Sequence, residues 1–336
     1  MTGTDAPTEN SSPPLRVAMA GCGLIAGGPV RDGRPIRGNH AQACRDVAGV
    51  ELVAASDPNV GRLNAFGAYW GVGRLYGDVG DLLSHEQVDL LIVATDPQSH
   101  LAVSMAAVEA GVRGILCEKP LTGVAADAEL LCSRAAQANI PLVANFSRRW
   151  DTSHQELRHL IENGLLGEPR HFTGCYTGTL RGNGTHLVDT LRMMWPVEWR
   201  TDWASFLDDG VADGAVAAEL VSPTGTRANL FPIVDSAYFV FELQFFGSKG
   251  RARLLSQGND LRVDLPATNP DFPGYSYLSQ ARELPRDSMP HSFSGALRAL
   301  ERAVRTGEKP STPASEAVHS LRLVESIIST AARVNS

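Results

Sequence analysis

Short apolar runs alternate with helical stretches over the first 146 residues. Leu15–Gly21 (LRVAMAG), Val50–Asp57 (VELVAASD), Val88–Thr95 (VDLLIVAT), Gly114–Glu118 (GILCE) and Pro141–Asn145 (PLVAN) read as buried strands. Leu101–Gly111 and Ala125–Asn139 carry apolar residues at helical spacing. Unbroken apolar strands alternating with helices predict parallel βαβ units in an open, doubly wound sheet.

The pattern changes after Asn145. SHQELRHLIENGLLG (Ser153–Gly167) predicts an amphipathic helix closed by glycine. RHFTGCYTG, ANLFPIV, YFVFELQFFG and RARLLS then alternate as half-buried antiparallel strands do. Phe293–Gly307 and Ser315–Val334 predict two closing helices. The fold class is α/β: a parallel-sheet domain over residues 15–146, then an α+β domain over 147–336 with a large, mainly antiparallel open sheet. Residues 1–14 (MTGTDAPTENSSPP) read as a disordered tail without the basic start and apolar core of a signal peptide.

Composition narrows the class. At 336 residues the chain exceeds the size of one hydrophobic core. It is 43% hydrophobic and 20% charged, as a folded protein is. A net charge of -7 argues against a nucleic-acid partner. No apolar run approaches a membrane span, so a cytoplasmic location is expected by elimination. The five cysteines are irregularly spaced with no CxxC pair, which predicts free thiols and neither a zinc site nor a disulfide framework. No metal site is expected.

Two places carry chemistry. The first strand runs into Gly21-Cys22-Gly23-Leu24-Ile25-Ala26, a GxGxxA match. The first glycine makes a tight turn, the second admits a pyrophosphate to the backbone, and the small third residue lets helix and strand pack closely. The second strand ends at Asp57, an acceptor for ribose hydroxyls that disfavours a 2′-phosphate; the cofactor is NAD, with NADP not excluded. The gap from motif to acid is longer than usual. The excess falls on Gly27–Gly38, a loop near the cofactor in which Arg31, Arg34 and Arg37 are either anion contacts or solvated. The second place is Glu118-Lys119-Pro120, at the end of a buried strand. Two charges there must be paired, solvated or used.

These features together resemble the Gfo/Idh/MocA oxidoreductases, the glucose–fructose oxidoreductase and inositol dehydrogenase group. The resemblance rests on GxGxxA, on ATDPQSHLAVSMAAVEAGVRGILCEKPLTG with Thr95, His100 and Glu118-Lys119-Pro120, on GNGTHLVDTLRMMW, and on FGSKGRARL. It covers the chain from Leu15 onwards. It implies a Rossmann domain, a second domain with a large open sheet, a cleft between them, and dimers or tetramers assembled through that sheet. It implies hydride transfer between a nicotinamide and a hydroxyl or carbonyl of a sugar, nucleotide sugar or cyclitol.

The resemblance also assigns residues. Lys119 contacts the reacting oxygen, followed by a Lys-Pro bond that is cis in some relatives, and His186 is the second acid/base. Gly21, Gly23, Leu24, Ile25, Ala26, Asp57, Thr95, His100, Glu118 and Lys119 border the cofactor. Arg149 matches a family arginine placed to hold a substrate hydroxyl or phosphate, and is equally read as a hinge ion pair; Asn145, Trp150, Asn183, Thr185 and Asp189 are the further substrate-site candidates of the cleft. One departure stands out: the family carries an aspartate four residues before the histidine, and Gly182 occupies that position. Two rivals remain at this stage, a glycosidase of the same family using NAD transiently and a non-catalytic dinucleotide-binding regulator.

Overall fold

The computed structural model describes residues 12–30, 32–207, 214–234, 236–283 and 291–334. The tail expected over 1–14 falls mostly outside them, as does Arg31. The first part of the chain builds strands β1 (Leu15–Ala20), β2 (Val50–Ser56), β3 (Arg74–Tyr76), β4 (Leu90–Val93), β5 (Gly114–Glu118) and β6 (Leu142–Asn145). Helices α1 (His40–Asp46), α2 (Val60–Trp70), α3 (Val79–His85), α4 (His100–Glu109) and α5 (Ala125–Gln137) connect them. The strands are parallel in the order β3-β2-β1-β4-β5-β6, the doubly wound dinucleotide-binding order. Strand β3 is only three residues long and half exposed, too short to leave a periodic signal.

The remainder builds α6 (Thr152–Glu162), β7 (Pro169–Thr177), α7 (Thr185–Met194), β8 (Arg200–Phe206), β9 (Val216–Val221), β10 (Arg227–Ile233), β11 (Phe241–Gly247), β12 (Arg251–Leu255), β13 (Asp260–Thr268), β14 (Ser276–Glu283), α8 (Ser292–Thr306) and α9 (Ser315–Val334). Eight strands form a second sheet in the order β14-β13-β12-β11-β7-β10-β9-β8. All its pairs are antiparallel except β7 with β10.

The alternation of side chains sorts the core. From β1, Val17 and Met19 enter one buried layer while Ala18 and Ala20 enter the layer on the other face of the sheet. A third layer fills the space between the second sheet and its helices, with Phe172, Tyr176, Leu243 and Phe245 from the strands and Leu187, Leu191 and Val324 from α7 and α9.

The two closing helices form as expected, but α8 does not stay with the second sheet. Its Phe293, Ala296, Leu297 and Leu300 join the core of the parallel sheet. Gly114 makes room for it, since a Cβ there would meet Val304 at 2.8 Å and Leu300 at 2.9 Å. Each leucine so buried contributes about 1.5–3 kcal/mol. A division drawn at 146/147 therefore misplaces this helix. Helix α9 bridges both parts: Val318 and Leu321 pack with the parallel sheet's layer, Leu323 and Ile327 with the second sheet's. These contacts fix the two sheets against each other and set the cleft between them.

The dinucleotide helix is interrupted by the expected loop. Residues 24–27 form a turn, and α1 begins only at His40. Yet the His40 amide donates to the Ile25 carbonyl at 3.1 Å and the Ala41 amide to Ala26 at 3.0 Å. The turn thus stacks beneath α1 as its first turn, with the intervening segment looped out. Asn39 caps α1 by accepting from the Gln42 amide at 2.8 Å. Trp70 anchors the near end of the loop by donating to the Gly27 carbonyl at 2.7 Å. The loop expected over Gly27–Gly38 is present among the described residues, and the helix resumes at His40.

Candidate active site

The cofactor residues and Lys119 lie at the carboxyl ends of the parallel strands, and His186 lies in the first turn of α7. Open α/β sheets bind ligands at such strand ends. After β1, Gly21 adopts φ +89°, and a Cβ there would lie 2.5 Å from the Ala94 carbonyl oxygen. A side chain is excluded twice over, by backbone conformation and by space. Around Gly23 the space is open, with nothing within 4 Å of a Cβ. Both glycines line a cavity of about 560 Å³ together with Leu24, Ile25, Asp57 and Thr95. Ala26 lies beneath this wall, fully buried.

Asp57 ends β2 in this cavity. Its carboxylate accepts from the Cys22 amide at 2.9 Å and the Asn59 amide at 2.7 Å. It also pairs with Arg62, whose guanidinium stands 3.0 Å away and is itself largely exposed. Burial pushes the Asp57 carboxyl up, but Arg62 and the two amides outweigh it and hold the group below the ordinary carboxylate range. Arg62 lines the cavity as well and escaped the sequence reading. Arg34 and Arg37 are exposed and do not line it.

His100 is fully buried, with Nδ1 2.7 Å from the Pro120 carbonyl and Nε2 3.2 Å from the Thr95 carbonyl. It ties the cavity wall to the Lys119-Pro120 peptide, which is cis. It does not itself line the cavity. Its place is behind the site, not in it.

The charges at the end of β5 are both accounted for. Glu118 lies 2.8 Å from Nε2 of the fully buried His40 and accepts from Asn145 at 2.6 Å and from the Lys119 amide at 3.2 Å. Burial alone would raise its pKa; the bond to His40, helped by Asn145 and the Lys119 charge, lowers it instead. Asn145, expected beside the substrate, is engaged by Glu118, although its Oδ1 has no partner among the described residues. His40 gave no sequence signal, because one histidine at a helix start is indistinguishable from a surface residue.

Lys119 crosses to the second part of the chain. Its Nζ donates to the Gly182 carbonyl at 3.2 Å. Gly182 sits in a π-helical turn, Leu180–Gly184, just before α7; such turns recur at functional sites. Burial lowers the Lys119 pKa; Glu118 opposes this and Arg148 adds to it. His186 packs edge-on against Phe146 and Phe241, with centroids 5.8 and 6.4 Å away. Burial, then the charges of Arg148 and Lys119, push its pKa well below the ordinary value, so the ring is neutral near pH 7. Its Nδ1 has no partner among the described residues.

Several expected substrate contacts are used elsewhere. Arg149 and Asp189 form a buried two-pronged ion pair, at 2.8 and 2.9 Å, with Ser320 also donating to Asp189. Trp150 is buried with the core beneath α8, where a Cβ on Gly295 would touch it at 3.1 Å. Thr185 is buried at the start of α7. Asn183 donates to the Thr177 carbonyl at 2.7 Å and lines a second cavity of about 810 Å³ with Gly178, Thr179 and Tyr238. The arginine that reaches the site electrostatically is Arg148, one residue before the one expected. Its guanidinium lies 3.5 Å from the centroid of Phe241.

The described chain thus carries a glycine cradle for a dinucleotide together with a half-buried lysine and a neutral histidine, as a nicotinamide-dependent oxidoreductase would. Residues 15–146, the parallel-sheet part of the chain, match the family model described as "Oxidoreductase family, NAD-binding Rossmann fold". It is 26% identical to D-apiose dehydrogenase of Paraburkholderia graminis, covering 92% of this chain and 85% of the relative. It is 29% identical to myo-inositol 2-dehydrogenase of Thermotoga maritima, covering 84% and 90%. Its fold is shared with KijD10, a 3-ketoreductase from Actinomadura kijaniata solved with NADP, at a TM-score of 0.78 and 22% identity over 94% of this chain and 97% of that one.

Proposed function

We propose that this protein oxidises or reduces a single hydroxyl or carbonyl carbon of a sugar or cyclitol, with NAD as the hydride partner. The observation that carries this reading is the Lys119 amine, half-buried and poised at the carboxyl edge of the sheet, 3.2 Å from Gly182. The names of the full-length relatives, dehydrogenases of apiose and myo-inositol, support the substrate class.

The residues fit the cofactor. Gly21 and Gly23 leave the backbone bare for a pyrophosphate, and Asp57 is fixed in place to meet ribose hydroxyls. Bound there, the nicotinamide supplies the site that takes or gives hydride. Lys119 handles the proton. In the direction of oxidation its neutral amine accepts the proton of the substrate hydroxyl while the hydride leaves the same carbon, so the carbon loses two electrons and the nitrogen gains a charge. Burial makes that neutral amine accessible at lower pH. His186, neutral, gives or takes a hydrogen bond at the same oxygen and adds no charge to repel the protonated lysine. Glu118, held by His40 and Asn145, fixes the backbone that carries Lys119.

The experiment is a screen of sugars, sugar acids and cyclitols with NAD and NADP, read by the absorbance of the reduced nicotinamide. Reduction of NAD by a member of these classes, lost in Lys119→Met, supports the reading. Substrate cleavage without net nicotinamide reduction would point to the glycosidase alternative, and dinucleotide binding with no turnover to a regulator.

A further inference from the structure

Arg148 is a buried cation that no described acid bonds; Asp151 and Asp189 act on it only through their charge. Its residue is only 7% exposed. It makes no hydrogen bond or ion pair with any described residue, and its Nε is fully enclosed without an acceptor. The face of Phe241 covers it on one side, and a Cβ on Gly258 would come to 3.6 Å of Nε. Two nearby carboxylates are already taken: Asp151 by His154 at 2.6 Å, and Asp189 by Arg149 and Ser320.

A buried charge left unpaired in this way is costly, and native chains avoid it unless something else completes the pair. The surroundings say where that partner comes from. Phe241, which stacks on Arg148, also meets the ring of His186. The charge of Arg148 is felt at both Lys119 and His186. Gly182, where relatives of this resemblance carry an aspartate, removes the carboxylate that would have balanced these cations. Arg148 therefore stands within electrostatic reach of Lys119 and His186 with no described acid bonded to it.

We propose that the substrate is a sugar acid, a polyol whose carboxylate binds Arg148 while a hydroxyl on a neighbouring carbon meets Lys119 and His186. This deepens the reading of the previous subsection and rests on it. A carboxylate matches the planar guanidinium fork with two parallel hydrogen bonds. A phosphate dianion fits less well, because Lys119 is reserved for the reacting oxygen and His186 is neutral, which leaves one cation to hold two charges.

The test uses the full chain saturated with NAD. Hexuronates and aldonates are compared with their neutral parent sugars and with the corresponding sugar phosphates. The expected kcat/KM favours an acid over its neutral parent by about 10- to 100-fold, the factor one charge-assisted pair supplies. In Arg148→Gln that ratio collapses towards one, mostly through KM, and Arg148→Lys restores part of it. Arg148→Met loses no bonded ion pair, only the stacking on Phe241; a loss of stability well beyond that single contact, as from a broken buried ion pair, would assign Arg148 to structure and overturn the proposal. Turnover of neutral sugars as good as that of acids overturns it and leaves the oxidoreductase reading intact. A preference for phosphates overturns the carboxylate assignment. Where no compound is turned over, the oxidoreductase reading fails, and thermal shift still decides the site. Stabilisation of the wild type by an acid but not its neutral parent, absent in Arg148→Gln, supports it; equal or no stabilisation refutes it.

Discussion

The ammonium of Lys119 donates to the carbonyl of Gly182 across 3.2 Å, joining the parallel sheet to the turn that begins α7. A backbone dipole stands where the family resemblance places a full negative charge. The consequence is electrostatic: the lysine keeps a hydrogen-bond partner that orients it, without a carboxylate that would hold its proton. Its pKa is lowered accordingly, by burial first and by Arg148 against the pull of Glu118.

Restoring the carboxylate should reverse this. In Gly182→Asp a Cβ would meet only the Thr179 hydroxyl, at 3.0 Å, so a small shift of one side chain accommodates it. An opposite charge at this range raises a lysine pKa by about 1–3 pH units. The rate of oxidation rises with pH as Lys119 loses its proton, so the acidic limb of kcat/KM should move to higher pH by that amount. The pH–rate profiles of the two proteins check it. An unmoved limb would remove Lys119 from the proton route.

Asp57 and Arg62 should govern the choice of dinucleotide. Asp57 is ready to meet ribose hydroxyls, and it also restrains Arg62 in the same cavity. In Asp57→Ala the arginine is released and the repulsion of a 2′-phosphate disappears. NAD should bind about tenfold or more weakly, the worth of a hydrogen bond to a charged group. NADP binding should improve relative to NAD. Calorimetric titration with both dinucleotides gives the ratio.

Arg149 and Asp189 should matter to folding more than to chemistry. Both are buried and joined at 2.8 and 2.9 Å. Asp189→Ala leaves a buried guanidinium with only the distant Glu316, at 3.6 Å. Breaking one side of such a pair costs about 3–5 kcal/mol. Denaturant unfolding of the variant measures it. The neighbouring Arg148, with no pair to lose, sets the contrast.

His186 should make the protein acid-sensitive. Its folded pKa lies well below the ordinary value, for reasons of burial first and then the charges of Arg148 and Lys119. As pH falls, the unfolded chain takes up that proton before the folded one does. The stability His186 contributes is therefore complete above about pH 6.5 and is lost as pH falls from there towards the folded pKa. Melting temperatures between pH 7 and pH 5 should fall less steeply in His186→Gln. Part of the slope should remain, because buried His154 is shifted in the same direction.

The architecture was legible in the sequence because it rests on periodicity. Continuous apolar runs gave β1, β2, β4, β5 and β6, and the helical spacing of Ser315–Val334 matched α9 to the residue. What depends on tertiary contact was not legible. Nothing in FSGALRALERAVRTG says that its apolar stripe covers the parallel sheet and not the second one. The Gly27–Gly38 insertion is marked by its glycines, proline and arginines, but nothing in it says that the turn before it hydrogen-bonds to the helix after it.

The site divides in the same way. Gly21 and Gly23 are marked by a motif whose spacing follows from the shape of a dinucleotide, and Asp57 by its place at the end of the second strand. Lys119 is marked by two charges at the end of a buried strand. Arg148 and Arg149 are adjacent in a single 3₁₀ turn, Ser147–Arg149, and point to different partners. Sequence reasoning chose the second, which pairs with Asp189, and passed over the first. The sequence distinguishes them by nothing; only the position of Phe241 and of Asp189 in space does.

The central claim is that Lys119 moves the proton while the glycine cradle holds the cofactor independently of it. The most direct measurement is on Lys119→Met, with NAD affinity from titration and single-turnover hydride transfer measured on the same preparation with the best substrate from the screen. NAD affinity should stay within about twofold of the wild type while hydride transfer slows by about 10²–10⁴, the range for removal of a general acid–base group. Hydride transfer at the wild-type rate in a variant that still binds NAD would contradict it.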